Sequence, residues 1–420
     1  MSIPASASPG PKRAVILLLA LACGVMVADV YFPQALAPLI ATDLHIDPRT
    51  AALVVTATQI GYAIGIFLLV PLGDRLPYRS LLTALPLLTC AGLLVAAAAP
   101  TAAVLLPAAA LVGVTTVVPQ LIIPMAAGLV DPQRRGAITG TLLSGLIAGI
   151  LLARTFSGAI GEWAGWRVPY VVAAVVILLL TLMLRRVVPA NDPASRLKYP
   201  VLVRQSLRLL GTEPELRRSA FYQFTVFGAF SAAWTSLALY LTGPEYRLGT
   251  SVVGLIALVG AGSVFVTPRA GRLSDRRGSD RVSLLAFLGV LLSAAILWTG
   301  GLHGVAGIAG LAAGMLLLDI ATQAGQVANQ ARIFALAPEI RSRLNTAYMT
   351  CAFLGGSLGS WLGVQVYDAF GWSGVCALVA MAAIAALIRH AAHTLSRIPG
   401  NPAPRTVPAS GSTAGEPIDA

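Results

Sequence analysis

Residues 71–79 read Pro71-Leu72-Gly73-Asp74-Arg75-Leu76-Pro77-Tyr78-Arg79, a short charged turn between two long apolar runs. About two hundred residues later a second such turn follows as Gly271-Arg272-Leu273-Ser274-Asp275-Arg276-Arg277-Gly278, again with apolar runs on both sides. Setting Asp74 on Asp275 also sets Gly61 on Gly262 and Leu72 on Leu273. A further stretch repeats without a gap. Residues 131–166 align with 337–372, bringing Arg135 to Arg341, Gly149 to Gly355 and Gly165-Trp166 to Gly371-Trp372. Upstream, Gln120 meets Gln326. The chain is a duplication.

The 420 residues are 57% hydrophobic and only 11% charged, with a mean hydropathy of +0.80. Soluble domains carry about a quarter charged residues. Runs of about 20 apolar residues, long enough to cross a bilayer, recur from end to end. The expected fold is an all-α membrane protein of twelve transmembrane helices in two pseudo-symmetric six-helix bundles. The spans fall near 14–40, 50–72, 80–99, 102–130, 137–160, 167–188, 219–242, 250–270, 282–300, 305–332, 344–367 and 373–394. The first run is too long for the apolar core of a signal peptide, so it reads as an uncleaved helix.

Twelve spans put both termini on one side. Of the 29 Lys and Arg residues, 25 then fall on that side, with Arg49, Arg167 and Arg247 opposite and Arg154 inside a span. Positive charge marks the cytoplasmic face, so both termini are expected to be cytoplasmic. The net charge of +12 lies in short turns, which argues for topology and against nucleic acid. The expected organisation is a tail at 1–13, bundles at 14–188 and 219–394, a basic linker at 189–218 and a disordered tail at 395–420. The linker interleaves basic and apolar residues, which suits anionic lipid headgroups; a simply solvated linker is the rival reading. Four cysteines lie within apolar runs without ligand spacing, so no metal and no disulfide is expected. There is no P-loop pattern and no catalytic constellation, so neither an enzyme nor an organic cofactor is expected.

These turns, the twelve spans and the long central linker resemble the major facilitator superfamily, whose loop motif is roughly G-x-x-x-D-R-x-G-R. The second copy matches at Gly271, Asp275, Arg276 and Gly278; the first has Val70 for the leading Gly but keeps Asp74, Arg75 and Arg79. Gln59-Ile60-Gly61-Tyr62 and Asn329-Gln330-Ala331-Arg332 resemble the bacterial drug- or arabinose-efflux branch. The resemblance implies that helices 1, 4, 7 and 10 line a cavity. It also implies that Asp74 and Asp275 face helices 11 and 5, near Asn345 and Ala137. With Arg75, Arg79, Arg135 and Arg276 they would latch the cytoplasmic side. The helix-5 antiporter motif of the family is half present, with Ile150 for its Pro and Ala153-Arg154 for its Gly pair.

Asp29, Arg154 and Asp319 are the ionisable residues within spans. Each costs about 2.5–3.5 kcal/mol at a helix centre on insertion scales, so each needs a partner, water or a task. Asp29 reads as the proton carrier with Arg154 tuning it, and Asp319 is a further proton-coupling candidate; a static ion pair is the competing reading. Helix 10 carries a polar stripe of Asp319, Gln323, Gln326 and Gln330, answered on helix 4 by Thr116 and Gln120. Such a face avoids lipid, lining a wet cavity or bonding between helices. Helix 7 adds Gln223, Phe227, Phe230 and Trp234 at helical spacing, a wall for a flat amphipathic solute or plain packing. Gly61 and Gly65, Gly145 and Gly149, and Gly355 and Gly359 supply close helix approach; they occupy helices 2, 5 and 11, which the resemblance implies rock against the other half. The expected protein is a monomeric secondary transporter with the proton as coupling ion, exporting a small amphipathic organic solute. A sugar or metabolite importer or uniporter of the same fold is the near alternative, and a non-transporting membrane sensor the distant one.

Overall fold

The protein is described by a computed structural model at residues 13–128, 130, 132–188, 198–260, 262–263, 267–336 and 340–396. The expected tails lie outside these residues apart from Arg13 and 395–396, as does 189–197 of the linker. In a bilayer, each backbone amide must find its partner inside the protein, which long apolar runs achieve as helices. Span 1 is α1 (Arg13–Ala28) and α2 (Phe32–Leu44), joined by one 3-10 turn at Asp29–Tyr31. Spans 2 and 3 are α3 (Pro48–Leu69) and α4 (Tyr78–Ala98). Span 4 is α5 (Ala102–Thr115) and α6 (Val118–Gly128); spans 5 and 6 are α7 (Pro132–Ala164) and α8 (Arg167–Val187). After α9 (Tyr199–Thr212), span 7 is α10 (Pro214–Thr242) and span 8 is α11 (Thr250–Gly260) with α12 (Thr267–Arg277). Spans 9 and 10 are α13 (Ser279–Trp298) and α14 (Gly304–Phe334).

The last helix, α15 (Arg341–Ser396), is broken at Gly371, whose φ of +63° a side chain would strain, and so supplies spans 11 and 12. Its repeat partner Gly165, at φ +94°, separates spans 5 and 6 in the same way. Ten helices among the described residues are individually long and apolar enough to cross. The break at Gly371 and the α11–α12 pair bring the spans to twelve.

Spans 1 and 4 were expected to be continuous, and both are interrupted. Pro33 sits at the second position of α2 and Pro119 at the second of α6. Each lacks the amide that would bond four residues back and crowds that carbonyl. The 3-10 turn and the Thr116-Val117 gap lie immediately before them.

The glycine pairs do bring helices close, but within each half. A Cβ on Gly149 would overlap the Gly24 carbonyl oxygen, and one on Gly359 would overlap that of Gly228. Gly145 and Gly355 abut Ala20 and Phe224 in the same seams, while Gly61 and Gly65 abut Ala110 and Val114 of span 4. The small-residue faces therefore weld spans 1 to 5, 7 to 11 and 2 to 4 within each half. The halves meet instead along spans 2/11 and 5/8, which the repeat interchanges. Thr56 and Ser360 hydroxyls bond at 2.8 Å in the first seam. In the second, Thr155 donates to the Gly254 carbonyl at 2.8 Å and Thr250 to that of Gly158 at 3.1 Å. At the end away from the termini, Arg49 pairs with Asp368 across the seam. At the basic end, α9 reaches both halves: Tyr199 donates to the Leu68 carbonyl at 2.6 Å, and Arg208 and Leu209 share a recess with Ile340 and Arg343.

Candidate functional site

The two helix breaks face each other. Asp29, only 1% exposed, lies in the span-1 turn, and Thr116 lies in the span-4 gap. The Thr116 hydroxyl lies 3.1 Å from Asp29 Oδ2 and also contacts the Met26 carbonyl, an acceptor in the turn before the break. A threonine brings one proton. The hydroxyl proton is shared between two acceptors, Asp29 Oδ2 and the Met26 carbonyl.

Arg154 is fully buried, but it does not sit on Asp29 as expected. Its Nε donates to Gln34 Oε1 at 2.6 Å, while Nη1 and Nη2 make no hydrogen bond among the described residues. Its guanidinium lies 4.2 Å from the Trp234 ring centroid, with Phe230 at 5.2 Å and Tyr31 at 5.0 Å. Trp234 Nε1 donates to Asp319 Oδ1 at 3.2 Å, and Asp319 is the carboxyl whose charge acts on Arg154. The reason for the correction is tertiary. Span 5 turns this face toward span 7, so the cation meets the aromatic wall of the opposite half. Asp319 Oδ2 rests against Gly260, where there is no room for a Cβ.

The amides expected to face substrate are tied to one another. Gln223 accepts from Tyr348 at 2.9 Å and from Asn329 at 3.4 Å, and donates to Gln326 at 3.5 Å. Gln120 donates to Tyr62 at 3.4 Å and accepts from Asn345 of span 11 at 3.4 Å, a bond between halves. Gln323 is half-buried. Phe227 and Phe230 stack at 5.4 Å, and Phe353 closes edge-on over Phe227 and Tyr62. All of these hydrogen bonds run between helices.

In the loop motifs, Asp74 is half-buried within the field of Arg343 at the start of span 11. Arg75 and Arg276 are exposed, and Gly278 takes φ +84° before α13. Gly271 lies within α12. The side chains of Asp275 and Arg135 lie outside the described residues. Arg79 points away from the opposite half, into a recess shared with Arg185 of span 6.

Two features were missed in the sequence. Gln34, fully buried, holds Arg154; an amide five residues past Asp29 was a readable signal. At the basic end of the second half, Arg218 bonds Glu215 at 2.6 Å and Asp280 at 2.9 Å. Arg332 meets the same Asp280 at 3.0 Å, with Asn329, Ser283 and Ser219 completing its shell. Both arginines had been counted as loop charges.

The Major Facilitator Superfamily model matches residues 17–315 and 255–417. The chain belongs to this superfamily. Transporter YgaY of Escherichia coli (strain K12) is 36% identical to it over 375 residues, 89% of this chain and 94% of that one. A chloramphenicol resistance protein of Streptomyces lividans is 28% identical over 278 residues, 66% of this chain and 70% of its own. The crystal structure of a point mutant of the nucleoside transporter NupG superposes with a TM-score of 0.71 at 12% identity, covering 90% of this chain and 99% of that one. This superfamily member is therefore a multi-pass membrane transporter built on the shared fold.

Proposed function

We propose that the chain exports a small amphipathic organic solute in exchange for protons by alternating access, as a monomer in a bacterial cytoplasmic membrane. The observation that carries this reading is the single Thr116 proton set between two acceptors at paired helix breaks. Discontinuous helices place polar backbone at the membrane centre in many transporters, and a buried carboxyl there is a functional candidate by default. Among the described residues Asp29 has no basic side chain in contact, so its proton can come and go without breaking an ion pair. The resemblance to a chloramphenicol resistance protein supports export over import. The coupling proton is the one cofactor this scheme needs.

Proteoliposomes with an imposed pH gradient test it. Wild-type protein is expected to move protons against ethidium or chloramphenicol. Asp29→Asn is expected to lose gradient-driven flux by about a hundredfold or more, the scale at which a proton-transfer group contributes, while keeping solute exchange. Proton flux undiminished in Asp29→Asn would remove the carboxyl from the mechanism.

A further inference from the structure

At the basic end, spans 3 and 6 leave a cavity of about 510 Å³ lined by Arg79, Ser80, Thr83, Ala84, Leu87 and Arg185. We propose that it binds the phosphate of an anionic phospholipid, with the acyl chains lying along the outer faces of the two spans.

Three observations carry this. First, the two arginines approach from antiparallel helices, and among the described residues neither meets a carboxylate at ion-pair distance. Two guanidinium groups without a counter-charge suit a phosphate, which accepts their N–H groups in parallel pairs. Second, Arg79 and Ser80 stand in the first turn of α4, where the helix dipole favours an anion, although the Ser80 amide is already given to the Pro77 carbonyl at 3.0 Å. The Ser80 hydroxyl adds a donor, whereas that of Thr83 is already given to the Arg79 carbonyl at 2.8 Å. Third, the wall continues from charge to grease. Leu87 and Leu88 of α4, and Leu182 and Met183 of α8, are exposed by 43–49%.

A free phosphate would use only the charged floor. A phospholipid uses the floor and the apolar wall together. The basic end is the side where anionic lipid is expected, and basic recesses between spans there hold such headgroups. Arg79 thus acquires a task that leaves the inter-half latch to Asp74 and Arg343.

Native mass spectrometry on the purified full-length chain tests this with phosphatidylglycerol and phosphatidylcholine of identical acyl chains. Phosphatidylglycerol is expected to bind preferentially. R79Q/R185Q is expected to weaken it about thirtyfold, the equivalent of two basic contacts at the surface. R79K/R185K should restore the preference, which shows that charge rather than folding was lost. R272Q/R277Q on α12, two exposed arginines of the other half, should leave it unchanged. Equal binding of the two lipids would overturn the proposal, as would an equal loss in the α12 variant. Full displacement by excess inorganic phosphate would mark a simple anion site and overturn the lipid assignment.

Discussion

Among the described residues, each half buries one carboxyl between its first and fourth spans, and the two are held in opposite ways. In the first half the acid is on span 1 and its hydroxyl donor on span 4, with both helices broken at that level. In the second half the donor is on span 7 and the acid on span 10, and both helices run unbroken as Pro214–Thr242 and Gly304–Phe334. Trp234 can only donate, and Arg154, stacked on that indole, acts on the acid through its charge from beyond ion-pair distance. Asp319 is therefore fixed by partners that do not change with its surroundings. Asp29 has one shared proton and, among the described residues, no cation in contact. The comparison separates an acid suited to hold the halves together from one suited to exchange a proton.

The largest effect is expected where the fixed acid is neutralised. Asp319→Asn removes the carboxyl whose charge acts on the buried Arg154 and should cost about 3 kcal/mol, the upper end for stripping a buried group of its partner, seen as early thermal unfolding in detergent. An Asp319→Asn protein as stable as Asp29→Asn would erase the contrast. Next, Trp234→Phe keeps a ring for Arg154 but deprives Asp319 Oδ1 of its donor, a loss of about 2 kcal/mol. Thr116→Val removes the shared proton and should cost about 1 kcal/mol while uncoupling solute exchange from the pH gradient. Coupling preserved in that variant would move the proton site elsewhere. The smallest change is expected from Pro119→Ala, within about 1 kcal/mol in stability. Its transport rate should nevertheless fall, because α5 and α6 can then join and draw Thr116 into a regular helix.

The twelve spans and the duplication could be read from the sequence because each rests on a local property. Hydropathy gives the spans, turn charges give the basic end, and Gly165 and Gly371 mark equivalent hairpins. What escaped was tertiary. Arg154 and Asp29 share a half and looked like natural partners, yet the direction of span 5 decides which helix Arg154 meets. Arg218 and Arg332 looked like loop charges because they stand at the very ends of the apolar runs. The helices run on past them, since α10 starts at Pro214 and α14 ends at Phe334. Pro33 and Pro119 did announce the breaks, but the surrounding apolar residues masked them. Close contact between small residues was legible too, whereas its direction was not. A glycine pair shows that something approaches, without saying what.

Arg154 belongs to one half, while two of the three rings around it belong to the other. Should the halves part along spans 5 and 8, that guanidinium must leave Trp234 and Phe230 behind and travel with its own helix. A full positive charge would then shift within the electric field of an energised membrane, where each elementary charge crossing 100 mV is worth about 2.3 kcal/mol. The turnover of this transporter should therefore depend on voltage as well as on pH, and Arg154→Gln should flatten the voltage dependence.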